Sequence, residues 1–586
     1  MFRKTIFSVF FVLVLLCSVG LIAAAPAPVA ATAPKVWVTG TGHAATEGFD
    51  HVTIQAAVDN ASTGSGDTIH VAAGTYTENV IVNKQGVSLR GENSATTIVN
   101  ANVWLDNVFR VTASWVNISG FTANSTINSG SFFSDTTGGN YGIFLAPGVA
   151  RCNISNNIVT GNYNGIYLAT GSGNNSLTGN TVSGNFQGFE VNLSNYNTFT
   201  NNTASGTQLY GFKMNSGDHN TFTNNIANSN LRDGFRFTSG NGDGATNTIL
   251  TNNTANSNTE YGVRAWSGTG FTITGNTFQG NDIAGLSLDV DVATVHENNI
   301  TNNDIGVEID GIVSNVKIND NDISGNDGPG CGIHHDGTGI LDATSNWWGD
   351  YAGPDIHTNP YHYWTDGDEI GGSSAGDVTY VPWLIHKTLN PGWNIFSAPI
   401  ALGTTTDTVG EALNYWTSDA AKATIVYTYN GRSWVRGSAA TALTPMVPVF
   451  LYISGSATAT IDVLMSTSPS TPPSITLYQG WNLAGPGQLV PRPVRNALTS
   501  AYYGSSYYYY GGGANSIGYS QVISPTPNSH AWTYFRFVSY GYEDEQDNPY
   551  CLWMIPTEGY WIYMVNPGTL AGWTFTPIVS YGYDIP

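Results

Sequence analysis

The stretch Gly188-Phe-Glu-Val-Asn-Leu-Ser-Asn-Tyr-Asn-Thr-Phe-Thr-Asn-Asn-Thr-Ala-Ser-Gly-Thr-Gln-Leu-Tyr, residues 188–210, decides the fold, because the chain says nearly the same thing nine times. Each copy opens on a Gly followed by alternating residues: Gly142-Ile-Phe-Leu, Gly165-Ile-Tyr-Leu, Gly188-Phe-Glu-Val, Gly211-Phe-Lys-Met and Gly234-Phe-Arg-Phe are 23 residues apart. Gly262, Gly285, Gly306 and Gly332 follow at steps of 28, 23, 21 and 26, as insertions in surface loops would produce. A period of this length marks a solenoid. Within each copy the first and third residues after Gly are apolar and the one between varies freely, which is the alternation of a short strand with one buried face. A second apolar column, Ile154, Leu177, Phe199, Phe222, Leu250, Ile273, Val295 and Ile318, is followed three residues on by Asn157, Asn180, Asn202, Asn225, Asn253, Asn276, Asn298 and Asn321. Asn tolerates turn geometry and can pair with its own image one coil away, so a stacked Asn ladder at a corner satisfies both facts. Helical repeats are longer and richer in Ala, Leu, Lys and Glu. The expected fold is all-β: a right-handed parallel β-helix.

The chain has 586 residues, a charged fraction of 10% and a net charge of −22. Such a chain has room for two or three domains, and its acidity argues against a nucleic-acid partner. Met-Phe-Arg3-Lys4 precedes an apolar run from Ile6 to Ala25 and then small residues and Pro. This reads as a secretory signal peptide over residues 1–31, an uncleaved leader being the other reading and the one expected route to a membrane. The expected location is secreted or cell-surface. Beyond the leader stand Cys152, Cys331 and Cys551, an odd number. Cys152 and Cys331 lie seven or eight coils apart, about 35 Å at the strand spacing of a sheet and beyond disulfide reach.

The segment expected to follow the leader, 35–385, begins with Lys35-Val-Trp-Val and an amphipathic helix over Val52–Ala61 that would cap the open end of the solenoid. With Thr53-Ile-Gln-Ala-Ala-Val, Gly66-Asp-Thr-Ile, Gly74-Thr-Tyr and Val87-Ser-Leu-Arg-Gly, this opening resembles the first coils of secreted right-handed β-helix proteins. That pectate-lyase-like superfamily includes pectinesterase-like proteins and the periplasmic copper-binding NosD type. Ala343-Thr-Ser-Asn-Trp-Trp-Gly with Gly353-Pro resembles the closing coil of its bacterial and archaeal surface members. The resemblance implies the fold across about residues 35 to 385. It implies no single activity, since the superfamily mixes lyases, hydrolases, epimerases, esterases and adhesins. From Tyr361 to Trp383 the pattern dissolves into a polar connection. A new repeat then starts: Leu389-Asn-Pro-Gly-Trp-Asn-Ile returns as Leu477-Tyr-Gln-Gly-Trp-Asn-Leu. Two small related antiparallel β-modules are expected, 388–475 and 476–586, the second enlarged by an aromatic insertion. Trp393 and Trp481, in matching positions of the two copies, are expected in their cores.

In β-helix polysaccharide enzymes the substrate lies along one sheet, so the outward residue of each strand is the place to look. That column is Phe144, Tyr167, Glu190, Lys213, Arg236, Arg264, Ser287, Glu308 and His334. Lys213, Arg236 and Arg264 on adjacent strands would repel unless something anionic lies across them, and a uronate glycan suits Arg forks. The competing reading pairs these cations, as solvated exterior groups, with Glu190 and with loop acids such as Asp233. Tyr167, Glu190, Lys213, Arg236, Arg264 and Glu308 are the candidate substrate-binding residues. Tyr507, Tyr508, Tyr509 and Tyr510 are candidate glycan-stacking residues, because four consecutive aromatics cannot all face inward from a strand.

No catalytic set stands out. The carboxylate pair of a hydrolase is not evident, and neither is the Ca²⁺ cluster that a lyase would want beside an Arg base. Asp320-Asn-Asp322 imitates the start of a Ca²⁺ loop, but Cys331 stands where the bidentate Glu belongs, and Asp289 with Asp291 would share a face only if that piece stays extended. His334 and His335 point to opposite faces of a strand and so do not share a copper ion, and His335 is expected to be capped by Asn346 or by backbone near Trp347-Trp348. No cofactor is expected, Ca²⁺ being the one candidate. The expectation is a protein that binds extracellular polysaccharide or cell-envelope glycan without catalysis. The alternatives are a uronate lyase or related polysaccharide-active enzyme, and a purely structural envelope or adhesion component.

Overall fold

The computed structural model describes residues 36–40, 51–103, 106–125, 140–240, 244–326, 332–356, 367–466, 472–501, 519–523, 534–536 and 553–572. The leader, Cys331, Cys551 and the Tyr507–Tyr510 run lie outside the described residues. Residues 36–379 wind into a solenoid with three sheets along its length. The first has 14 strands and starts with Val36–Thr39 antiparallel to Thr68–Val71, after which every pairing is parallel down to Val378–Thr379. The second has 12 strands, all parallel, from Val80–Val82 to Ile370–Gly371. The third runs through six strands, Gly74–Thr77 to Thr203–Ser205, and continues through single bridges at Ile226 and Thr254. Residues 370–371 and 378–379, expected in a featureless connection, instead extend the second and first sheets. The chain is a right-handed parallel β-helix followed by antiparallel sheets, as the repeat implies.

The two apolar columns face each other across the coil. Phe189, Phe212 and Phe235 stack face to face at 4.6 and 4.8 Å, and Phe199 and Phe222 stack opposite them at 4.7 Å. The two piles meet edge to face, the arrangement ring quadrupoles prefer. The repeat Gly is fixed by crowding: a Cβ at Gly188 would lie 2.3 Å from the Gly211 carbonyl oxygen on the next coil.

The Asn column forms the ladder. Each Nδ2 of Asn157, Asn180, Asn202, Asn225, Asn253, Asn276, Asn298 and Asn321 donates to the Oδ1 of the next, ending on Asn346. Each Oδ1 also accepts the backbone N–H of the preceding Asn, so buried corner amides are satisfied from one coil to the next. A second ladder through Asn230, Asn258, Asn281, Asn303 and Asn326 ends on the carboxylate of Asp368. A shorter third joins Asn175, Asn197 and Asn220.

The capping helix α1 (Ile54–Asp59) is shorter than the sequence pattern suggests, because Thr53 caps it by accepting from Ala56 N at 3.0 Å. Glu78 takes its first two free N–H groups, Ile54 at 2.9 Å and Gln55 at 3.0 Å. Cys152 is buried and unpaired, and burial pushes its thiol up to about 11, so it is inert packing.

Beyond the solenoid the same antiparallel arrangement occurs twice. Strands 392–396, 449–453, 423–429 and 434–436 lie in that order in one sheet, and 480–484, 560–564, 519–523 and 534–536 in the other. A two-stranded sheet accompanies each: Leu384–Leu389 with Ala459–Leu464, and Ser474–Leu477 with Gly568–Ala571. The matching Trp residues are not core. Trp393 is 46% and Trp481 37% exposed; Ile395 and Leu483, two residues on and so on the same faces, are buried, so each face is covered at its far end and open at the Trp.

Candidate functional site

The outer face of the second sheet is a straight row. Parallel pairing sets Phe144, Tyr167, Glu190, Lys213, Arg236, Arg264, Ser287, Glu308 and His334 on successive rungs, as the alternation predicts. Two further columns flank it. The residue before each repeat Gly supplies Tyr141, Asn164, Gln187, Tyr210, Asp233 and Tyr261. The residue two places after the central one supplies Asn192, Asn215, Thr238 and Trp266.

These columns change the chemistry of the central one. Tyr141 stacks on Tyr167 at 4.7 Å and lies 5.5 Å from Phe144, giving an aromatic strip at the N-terminal end. Glu190 is buried and accepts from Asn164 Nδ2 at 2.7 Å, Asn215 Nδ2 at 2.7 Å and Lys213 Nζ at 2.9 Å. Arg236 is buried, donates to Asp233 Oδ2 at 2.8 Å, and lies over the rings of Tyr210 at 4.7 Å and Trp266 at 4.2 Å. Arg264 lies over Tyr261 at 4.2 Å and Trp266 at 4.1 Å. The expected bare ladder of three repelling cations is therefore corrected. Lys213 and Arg236 are each neutralised by a carboxylate, and the Trp266 ring contacts both guanidinium groups, a favourable arrangement for each. The pairings are those of the competing reading, but the partners are buried or half-buried, not solvated.

Next along the row, Ser287 sits buried between Arg264 and Glu308. Five polar atoms on this face are buried without a hydrogen-bond partner among the described residues: Gln187 Oε1, Asp233 Oδ1, Arg264 Nε, Glu308 Oε2 and His334 Nδ1, the last four clustered toward its C-terminal half. Asp233 is fully buried, which pushes its carboxyl up to about 6 in spite of the Arg236 bond. Burial likewise raises the Tyr261 hydroxyl to about 12.

The Asp233 shift has a stability consequence with a definite sign. The folded carboxyl holds its proton to higher pH than an unfolded Asp, so its contribution to stability is greatest below the unfolded pKa and is lost as pH rises through about 6. Relative to wild type, Asp233→Asn is expected to gain up to about 3 kcal/mol between pH 4 and pH 7. Thermal unfolding of both proteins across that range measures the difference, and a pH-independent offset would contradict the shift.

The other expected sites resolve differently. Asp289 and Asp291 fall in the turn between strands 284–288 and 292–296, so the extended geometry that would align them is not adopted. Burial and the neighbouring Asp310 and Asp291 raise the Asp289 carboxyl. His334 bonds Asp336 at 3.1 Å, whereas His335 is buried and meets the Gly339 carbonyl at 3.1 Å. The expected partner Asn346 is instead committed to the ladder and to the Ile318 and Ala343 carbonyls. Among the described residues no three His, Cys, Asp or Glu side chains converge as a metal site. No described helix is long and apolar enough to cross a membrane.

Two family models match within the solenoid: "Right handed beta helix region" over residues 187–346 and "Periplasmic copper-binding protein (NosD)" over residues 58–249. This is a right-handed β-helix repeat protein. Among the described residues the soft donors do not gather: Cys152 is buried on one coil, Met214 is buried in the core against Asn220, and the two adjacent His residues face apart. Among curated proteins none matches the chain by sequence. Similar solved structures include the A-module of the Azotobacter vinelandii mannuronan C-5 epimerase AlgE4, at 20% identity and TM-score 0.44, covering 50% of this chain and 90% of that one. The A-module of AlgE6 from the same organism gives 18% and 0.42, covering 56% and 94%. The catalytic domain of a GH87 alpha-1,3-glucanase in complex with nigerose gives 14% and 0.33, covering 53% and 63%.

Proposed function

We propose that the β-helix protein is exported and binds a polysaccharide lengthwise along the outer face of the second sheet, without cleaving it. The observation that carries this reading is the concentration of Asp233 Oδ1, Arg264 Nε, Glu308 Oε2 and His334 Nδ1, all buried and unpartnered, beside the Arg236–Trp266–Arg264 stack. Buried polar groups left unpaired are costly, and a ligand is one of the few things that accounts for several together. The set contains both donors and acceptors, so sugar hydroxyl groups, which do both, match it. The rungs repeat at about 4.8 Å, close to the advance of one sugar along an extended chain, and the aromatic strip at Phe144, Tyr141 and Tyr167 extends the track. In this reading 1–31 is the signal peptide, 35–385 the binding rod, and the modules 388–475 and 476–586 attach the rod to its surroundings.

The test is retention of the full chain on a glycan array, followed by affinity electrophoresis with Arg264→Gln. The variant is expected to lose about tenfold in affinity, as removal of a buried charge-assisted donor does. Failure to retain any glycan would sink the proposal.

Asp233 favours a second reading. A buried carboxyl at about 6 can hold or release a proton near neutrality, as a polysaccharide lyase requires. Incubation with polyuronates and Ca²⁺ while following the absorbance of unsaturated product tests it, and Arg236→Ala is expected to abolish any activity found.

A further inference from the structure

Both C-terminal sheets expose a Trp at the same place, and each Trp has the same support. Trp393 pairs across the strands with Tyr452, its ring 5.3 Å away at 70°. Trp481 pairs with Tyr563, 5.2 Å away at 74°. In each case an edge-on Tyr braces the indole and leaves it open to solvent. From Trp393 the rings continue through Tyr427 at 6.2 Å to Trp434, which is 48% exposed. Trp434 meets Trp561 of the second sheet at 5.9 Å. Trp561 and Tyr563 lie two apart on one strand and so share a face, which carries the aromatic floor on to Trp481.

Exposing several large rings together is unfavourable, and contiguous patches of this kind mark binding surfaces. The charges narrow the occupant. The strands 392–396, 423–429, 434–436 and 449–453 carry one charged residue, Arg436, in a protein of net charge −22. A second copy would bring another −22 against it, and a polyanion would meet the same field with one strand cation per sheet, Arg436 and Arg536, to hold it. A neutral sugar chain matches an uncharged aromatic floor, presenting C–H faces to the rings and hydroxyl groups to water.

We propose that Trp393 and Trp481 are the two platforms of a neutral-glycan site that is separate from the solenoid face and engages one chain at two points. Two linked contacts raise the overall affinity well above either one.

The experiment is affinity electrophoresis of the full chain in gels containing laminarin, hydroxyethylcellulose or galactomannan. Trp393→Ala and Trp481→Ala are each expected to weaken retention about tenfold, and the double variant at least as much as their product. Trp393→Phe/Trp481→Phe should keep most of it. Trp115→Ala, an exposed indole beside the first sheet of the solenoid and outside both proposed sites, should leave retention on these gels unchanged. Unfolding temperature should fall by no more than a few degrees, because neither indole belongs to a core cluster. Retention by the double Ala variant equal to wild type, retention of none of the three glycans, or a dimer in light scattering that the double variant dissolves would each overturn the proposal.

Discussion

Replacing Asn225 by Leu is expected to cost about 4 kcal/mol, because three buried polar groups lose their partners at once. Asn225 Nδ2 donates to the Phe199 carbonyl at 2.9 Å and to Asn253 Oδ1 at 3.0 Å, while its Oδ1 accepts from Asn202 N at 2.9 Å and Asn202 Nδ2 at 3.1 Å. Leu has the same branched skeleton with bulkier methyl groups and leaves the Phe199 carbonyl, the Asn202 N–H and one Asn202 amide hydrogen buried and unpaired. Thr is the informative comparison. On the second ladder's corner Thr207 occupies an Asn position and bonds Asn230 Oδ1 through its hydroxyl at 2.8 Å. Asn225→Thr should therefore recover part of the loss. Denaturant titration followed by near-ultraviolet circular dichroism measures both, and a Leu variant within about 1 kcal/mol of wild type would refute the account, since net neutrality is the other outcome hydrogen-bond substitution allows.

The second large effect concerns binding. Trp266→Ala is expected to weaken the polysaccharide held by the solenoid about thirtyfold, the equivalent of about 2 kcal/mol. The ring contacts the guanidinium groups of Arg236 and Arg264 at once, at 4.2 and 4.1 Å. Without it the two cations on adjacent rungs face each other, and Arg264 keeps Tyr261 as its one ring contact among the described residues. Trp266→Phe keeps a π face and should lose less than Ala. Isothermal titration with the glycan identified by the array distinguishes the variants, and equal affinity of Ala and wild type would remove the stack from the site.

Much of this was legible in the residues. The Gly period, the two apolar columns and the Asn column gave the solenoid, its register and one ladder, because a repeated fold writes each contact many times. The central outward column followed from strand alternation alone. What was missed lay beside it. The residues preceding each repeat Gly, Asp233 and Tyr261 among them, form a flanking column, and Trp266 lies two places past Arg264 on the same face; both positions follow from the same alternation. Their effect followed only in part: pairing with Asp233 was the competing reading, but its burial and the stacking of Arg236 on Trp266 depend on side-chain reach across rungs. The Trp393 and Trp481 expectation failed for a related reason. Matching positions in two copies show that a residue has one environment, but not whether that environment is inside.

The ladders also have a direction. In the second one every amide from Asn230 to Asn303 hands its N–H to the Asn of the following coil, and Asn326 hands its own to Asp368 at 2.7 Å. Asp368 additionally receives the Asn326 and Gly325 backbone N–H groups, both at 3.0 Å. A carboxylate takes hydrogen bonds and passes none on. The first ladder ends on an amide, Asn346, which turns its N–H groups back to the Ile318 and Ala343 carbonyls; in the second, exchanging nitrogen for oxygen ends the relay with no such return.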